Sequence, residues 1–275
     1  MLPMLLAQAD TATWLDTLQA WLTSPWVAYP ALVVAGFIAG VVNTIAGGGS
    51  FLTLPALIYL GGLDPKIANG TNRVAVLLST ASSTTVFHRA GHLDKRALLR
   101  MLLPTLIGVP PGALLAYYLP RETFQVVFGA LFLAMAVFLA LRPKSLLNPE
   151  KPLSRSRSAE TVLFIGVGIY IGFLQAGMGV ILLVCMSLFH ARELIGANAI
   201  KNGIGLVVTI VAVAMFWMLD LIQWVPGLVM AMGNLIGGLV GARLAIHKGE
   251  KFIFGFVIVV MIATGAKLVW DALGG

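Results

Sequence analysis

The sequence predicts an all-α integral membrane protein made of two inverted-topology repeats. Each repeat is a Gly-broken helical hairpin followed by three transmembrane helices. Three observations lead there. First, the 275-residue chain is 59% hydrophobic and 11% charged, with a mean hydropathy of +0.95. Soluble domains carry about 25% charged residues, so this chain cannot build a water-facing surface all round. Second, its apolar stretches approach the roughly 20 residues that a helix needs to cross the hydrocarbon. Third, polar landmarks of the first half recur in the second at near-constant spacing. Ala68–Arg73 matches Ala197–Asn202, and Gly108 and Gly112 match Gly237 and Gly241, both at an offset of 129 residues. The offset from Gly49 to Gly179 is 130, and from Phe128 to Phe254 it is 126. Internal duplication of this kind is common among transporters.

The elements follow in order. Residues 1–30 form an N-terminal segment without the basic start of a signal peptide. Within it, Trp14, Leu15, Leu18, Trp21 and Leu22 recur at helical spacing, as in an amphipathic helix lying at the interface. The first repeat, 31–141, opens with Ala31–Ala46 and breaks at Gly47-Gly48-Gly49-Ser50. It continues with the short Phe51–Leu60, then Ile67–Phe87, Ala97–Tyr118 and Phe124–Leu141. A basic linker, 142–160, contains Pro143, Pro149 and Pro152. The second repeat, 161–275, runs Thr161–Ala176, a break at Gly177-Met178-Gly179, the short Val180–Phe189, Leu194–Trp217, Val225–Ile246 and Phe252–Trp270.

Charge sets the expected orientation. Lys and Arg concentrate in the His88–Arg100 loop, in the linker and around His247–Lys251. No Lys or Arg precedes Ala31 or lies in Met218–Trp224. The positive-inside rule then puts the linker inside and both termini outside. Each half crosses an odd number of times, so the halves are inverted. This parity makes each broken pair either a re-entrant hairpin or two full crossings, and the shortness of Phe51–Leu60 favours the hairpin. The net charge of +7 is read as this topology signal and not as a nucleic-acid surface. The single cysteine, Cys185, lies in an apolar stretch and is read as a packing residue.

Two constellations point to chemistry. At each Gly break a short helix begins, and its free N–H groups and positive dipole end make an anion site. This assigns Gly47, Gly48, Gly49, Ser50, Gly177 and Gly179 to a binding site, with tight Gly packing as the competing reading. Arg73 and Lys201 lie about 12 Å inside their helices, at about 1.5 Å per residue. They occupy nearly matching repeat positions. A cation at that depth marks a functional site, unless the side chain snorkels to the interface. All eleven Asp and Glu residues fall in loops or at helix ends, so a bound anion is the expected counter-charge. Asn43, Asn69, Thr71, Asn72, Gln175, Asn198 and Asn202 surround this core as donors or as interhelical bonds. The Gly-x-x-x-Gly pairs beginning at Gly36, Gly108, Gly168 and Gly237 suit close helix packing. The sequence carries no Walker loop or Gly-x-Ser-x-Gly elbow, and the His88-x-x-x-His92 pair lies at the basic loop and is read as interfacial, not as a zinc site, so neither an enzyme nor a cofactor is expected.

Several of these motifs resemble a known family. Gly36-Phe-Ile-Ala-Gly40, Asn43-x-x-Ala-Gly-Gly-Gly49, Pro55 and Ala68-x-Gly-Thr-Asn-Arg73 resemble the first-half motif of the sulfite exporter TauE/SafE family. Gly172-x-x-Gln-Ala-Gly-x-Gly179 and Ala197-Asn-Ala-Ile-Lys-Asn202 resemble its second half, with Met178 where a third Gly is common. The likeness spans about Ala31 to Trp270. It implies a multi-pass inner-membrane permease in the lipid bilayer, exporting sulfite or an organosulfonate such as sulfoacetate by alternating access. A small anion is the implied partner, and a coupling proton and homo-oligomerisation are both compatible with the reading. An anion channel, or a permease for another small oxyanion or carboxylate, is the alternative.

Overall fold

The computed structural model describes residues 17, 19–141, 156–189, 194–247, 262 and 265–271. Among them the regular structure is helical throughout, with no strands. The helices are α1 (Pro25–Ala46), α2 (Ser50–Tyr59), α3 (Pro65–Arg89), α4 (Lys95–Tyr118), α5 (Arg121–Leu141), α6 (Arg157–Phe173), α7 (Met178–Phe189), α8 (Leu194–Met218) and α9 (Trp224–His247). Residues 265–271 are also helical. Five of these helices, α1, α4, α5, α8 and α9, contain spans long and apolar enough to cross a membrane. Most of the N-terminal interfacial segment, nearly all of the linker and most of Phe252–Trp270 lie outside the described residues.

The helix boundaries follow local chemistry. α1 begins at Pro25, earlier than the apolar run alone implies, because Ser24-Pro25 puts proline in the first helical turn. Asp64 caps α3 through Lys66 N at 2.9 Å, with Pro65 beside it. Asp94 caps α4 by accepting from Arg96 N and Ala97 N. α6 stops at Phe173, short of the expected Ala176, because Gln175 and Gly177 take positive φ angles of 60° and 69°. α3 is 25 residues long, but its asparagines, serines, threonines and Arg73 keep it out of the apolar set. It is the polar span of the bundle.

Glycine decides which helices meet. α1 packs along α9, and α4 packs along α6. A β-carbon at Gly36 would lie 2.3 Å from Met230 O, and one at Gly237 would lie 2.1 Å from Phe37 O. The second contact uses the same device: β-carbons at Gly112 and Gly168 would lie 2.1 Å from Ile169 O and 2.0 Å from Thr105 O. α3 packs on α9 and α8, and α8 also reaches α4. One apolar core gathers Phe51, Phe124, Phe128, Phe132 and Phe173 in edge-to-face contacts, with centroids 4.7–5.8 Å apart.

The two ends of the bundle differ. A β-carbon at Gly62 would lie 3.8 Å from the Thr23 methyl, so the α1–α2 hairpin returns to the end where it began. α2 is about 15 Å long at 1.5 Å per residue, half the hydrocarbon thickness. At this end Arg121 pairs with Asp64 at 2.6 Å, and Lys66 Nζ donates to Tyr117 O at 2.8 Å. At the other end Arg100 pairs with the buried Glu160.

Candidate functional site

The site is built on α3 and α8, which pack against each other. On α3, Asn69, Asn72 and Arg73 share one face by their i, i+3, i+4 spacing, and on α8, Asn198, Lys201 and Asn202 do the same. All six are buried.

Each cation reaches across to the helix end of the other half. The last carbonyls of a helix have no partner within it. Arg73 Nη1 donates to Ile171 O at 3.0 Å and Nη2 to Gly172 O at 2.7 Å. Asn69 Nδ2 donates to Phe173 O at 2.8 Å, so three terminal carbonyls of α6 are met by side chains of α3. Lys201 Nζ donates to Thr44 O at 2.8 Å and Asn43 O at 3.2 Å, at the end of α1, and to Asn198 Oδ1 at 2.7 Å. Both cations therefore sit at the negative ends of helix dipoles. Backbone carbonyls contact both cations, partners that the expectation of an anionic counter-charge did not include. Arg73 also lies 4.1 Å above the Phe216 ring.

The two Gly breaks touch. Gly179 N donates to Gly47 O at 3.2 Å. A β-carbon at Gly47 would lie 2.4 Å from Gly179 Cα, and one at Gly179 would lie 3.0 Å from Lys201 Cδ. Gly47 also adopts φ 85°, which caps α1 and which only glycine takes without strain. Gly48 and Gly49 are buried in the turn that opens α2. Ser50 Oγ accepts from Asn72 Nδ2 at 3.1 Å, and Asn72 Oδ1 accepts from Thr53. Gly177 faces the Phe51 ring.

The remaining expected residues divide. Gln175 joins the centre: its Oε1 accepts from Arg73 at 3.2 Å, and its Nε2 donates to Thr209. Asn202 bonds within α8 to Asn198 O at 2.8 Å and accepts from Ser83 Oγ at 2.9 Å. Thr71 points elsewhere, accepting from Gln223 N at 2.9 Å in the α8–α9 connection. Thr53, Ser83, Thr209, Phe216 and Asn234 were not anticipated. Asn234 Nδ2, Thr44 Oγ1, Ser79 Oγ and Arg73 Nε are buried without a hydrogen-bond partner among the described residues. An amide inside the apolar α9 was the readable signal for Asn234.

The sulfite exporter TauE/SafE family matches residues 32–268, which include every residue of this centre. The chain belongs to the TauE/SafE family. Among its relatives is a "probable membrane transporter protein ORF9" of Sinorhizobium sp, 30% identical over 87% of this chain and 92% of the relative. Another is the "probable membrane transporter protein YfcA" of Escherichia coli K12, 28% identical over 88% and 90%. A "probable membrane transporter protein" of Haemophilus influenzae is 29% identical over 87% and 94%. No solved structure matches the chain. TauE/SafE proteins are membrane transporters and not enzymes, and this chain is a multi-pass membrane protein of that family.

Proposed function

We propose that the chain is a secondary transporter that exports a small sulfur-containing anion, sulfite or an organosulfonate such as sulfoacetate. It works by alternating access between two inverted repeats in the inner membrane, with both termini outside. The observation that carries this reading is the meeting of the two Gly breaks, with a buried cation from each half at the second break. Lys201 lies against Gly179 where it touches Gly47, and Arg73 holds Gln175, two residues before Gly177. Among the described residues the one buried carboxylate is Glu160, which pairs with Arg100 in the second turn of α4.

The substrate anion binds near the starts of α2 and α7, at the positive ends of both helix dipoles, and competes there with contacts such as Gly179 N to Gly47 O. Arg73 and Lys201 supply the positive field from either side, and their carbonyl contacts hold them there. Ser50, Asn72, Gln175 and Asn198 fix the donors in place. The inverted arrangement draws support from the exchange of partners: α1 packs on α9 as α6 packs on α4. Each half's cation likewise caps the broken helix of the other.

The test is uptake of labelled sulfite into proteoliposomes, against a panel of sulfonates, with and without a pH gradient. Saturable flux selective for one of these anions is expected, and unitary currents would make the protein a channel. Lys201→Ala is expected to abolish substrate-dependent thermal stabilisation in detergent. Retained stabilisation with normal flux would remove Lys201 from the site.

A further inference from the structure

A cavity of about 380 Å³ opens between the end of α3 and the start of α4, far from the Gly breaks. Its polar wall carries Thr84, His88, Arg89 and Lys95, and its floor is leucine, including Leu98 and Leu99. Arg89 and Lys95 are exposed. The carboxylate beside them, Asp94, is held at the α4 N-terminus by Arg96 N and Ala97 N. Thr84 Oγ1 is buried and has no hydrogen-bond partner among the described residues, whereas Thr85 bonds back to Ala81 O at 2.8 Å.

The apolar floor continues out of the cavity. Leu99, Leu103 and Ile107 stand one helical turn apart on α4 and are 54%, 61% and 65% exposed. They form a stripe about 12 Å long on the membrane-facing side of the helix. A free oxyanion has no use for such a stripe, but a molecule with a phosphate head and an acyl chain matches both parts. Basic pockets between transmembrane helices suit anionic lipid head groups.

We propose that this groove binds an anionic phospholipid. The phosphate lies between Arg89 and Lys95, Thr84 donates to a phosphate or ester oxygen, and an acyl chain follows Leu99, Leu103 and Ile107. Leu98 and Leu93 of the same groove rest on Gly203, 3.1 and 3.4 Å from where its β-carbon would stand. The bound lipid therefore braces the α3–α4 hairpin against α8 two residues beyond Lys201.

The experiment is native mass spectrometry and thermal unfolding of the delipidated full-length protein in detergent, with phosphatidylglycerol, phosphatidylcholine or inorganic phosphate added. Phosphatidylglycerol is expected to be retained and to raise the melting temperature, while the other two have no such effect. Arg89→Ala/Lys95→Ala is expected to cut phosphatidylglycerol retention at least fivefold, and Thr84→Val to cut it about twofold. Arg96→Ala removes the adjacent charge outside the cavity lining and is expected to leave retention unchanged. Undiminished retention in the double variant would overturn the proposal. An equal loss in Arg96→Ala would reduce it to surface charge and overturn it as well. Equal stabilisation by inorganic phosphate would reassign the groove to free anions.

Discussion

Arg73 carries more of the centre than its charge alone. Its guanidinium spans two terminal carbonyls of α6 and the Gln175 amide while one face covers Phe216. A lysine ammonium is a point donor without that planar fork. Arg73→Lys is therefore expected to strand at least one buried acceptor, at about 1–3 kcal/mol. Thermal unfolding in detergent should record the loss, and anion flux in liposomes should fall with it. Unchanged values for both would mean that the fork is dispensable. Arg73 and Lys201 stood out in the sequence because a cation deep inside a membrane helix is rare. What they touch was not, since a backbone carbonyl has no residue-type signature. Thr209 was hidden for a related reason: a threonine in an apolar span usually bonds its own helix, and only the fold turns this one toward Gln175.

At the scale of helices, the order of the described elements and both Gly breaks were readable from hydropathy and glycine position. The pairing of helices was not. A Gly-x-x-x-Gly pair announces a close approach without naming the partner, and only the structure sends α4 to α6 and α1 to α9. The helix that hydropathy discounts, α3, is the one that holds the centre, because the side chains that make it polar are the ones that bind across the bundle. The close approaches invite a direct comparison within one contact. Gly112→Ala places a methyl 2.1 Å from Ile169 O, so α4 must move off α6. Overpacking of this kind costs about 1–3 kcal/mol. Gly166→Ala adds the same methyl to α6 where nothing lies within 4 Å. A lower melting temperature and poorer monodispersity are expected for Gly112→Ala, with Gly166→Ala at the wild-type value. Equal behaviour of the two would show that the α4–α6 approach does not limit stability.

Across the whole molecule, each half supplies a buried cation to the end of the other's broken helix. Lys201 of α8 closes α1, and Arg73 of α3 closes α6. Any rocking of one half against the other must carry these contacts along or exchange them, which ties motion to the place where the anion is proposed to sit. The same reading fixes which end of the bundle faces the cell interior, and that can be decided without a substrate. Cys185 is buried among apolar neighbours, so Cys185→Ala gives a background free of thiols at little cost. Thr123 and Ser158 are exposed at opposite ends of the bundle, near the Arg121–Asp64 and Arg100–Glu160 pairs respectively. In the Cys185→Ala background, Thr123→Cys is expected to react with an impermeant maleimide in intact spheroplasts. Ser158→Cys is expected to react only once the membrane is permeabilised, because the end rich in Lys and Arg stays inside. Labelling of both from the same face would break the odd number of crossings between them, and with it the inverted repeat. Labelling in the opposite sense would keep the repeat and reverse its orientation.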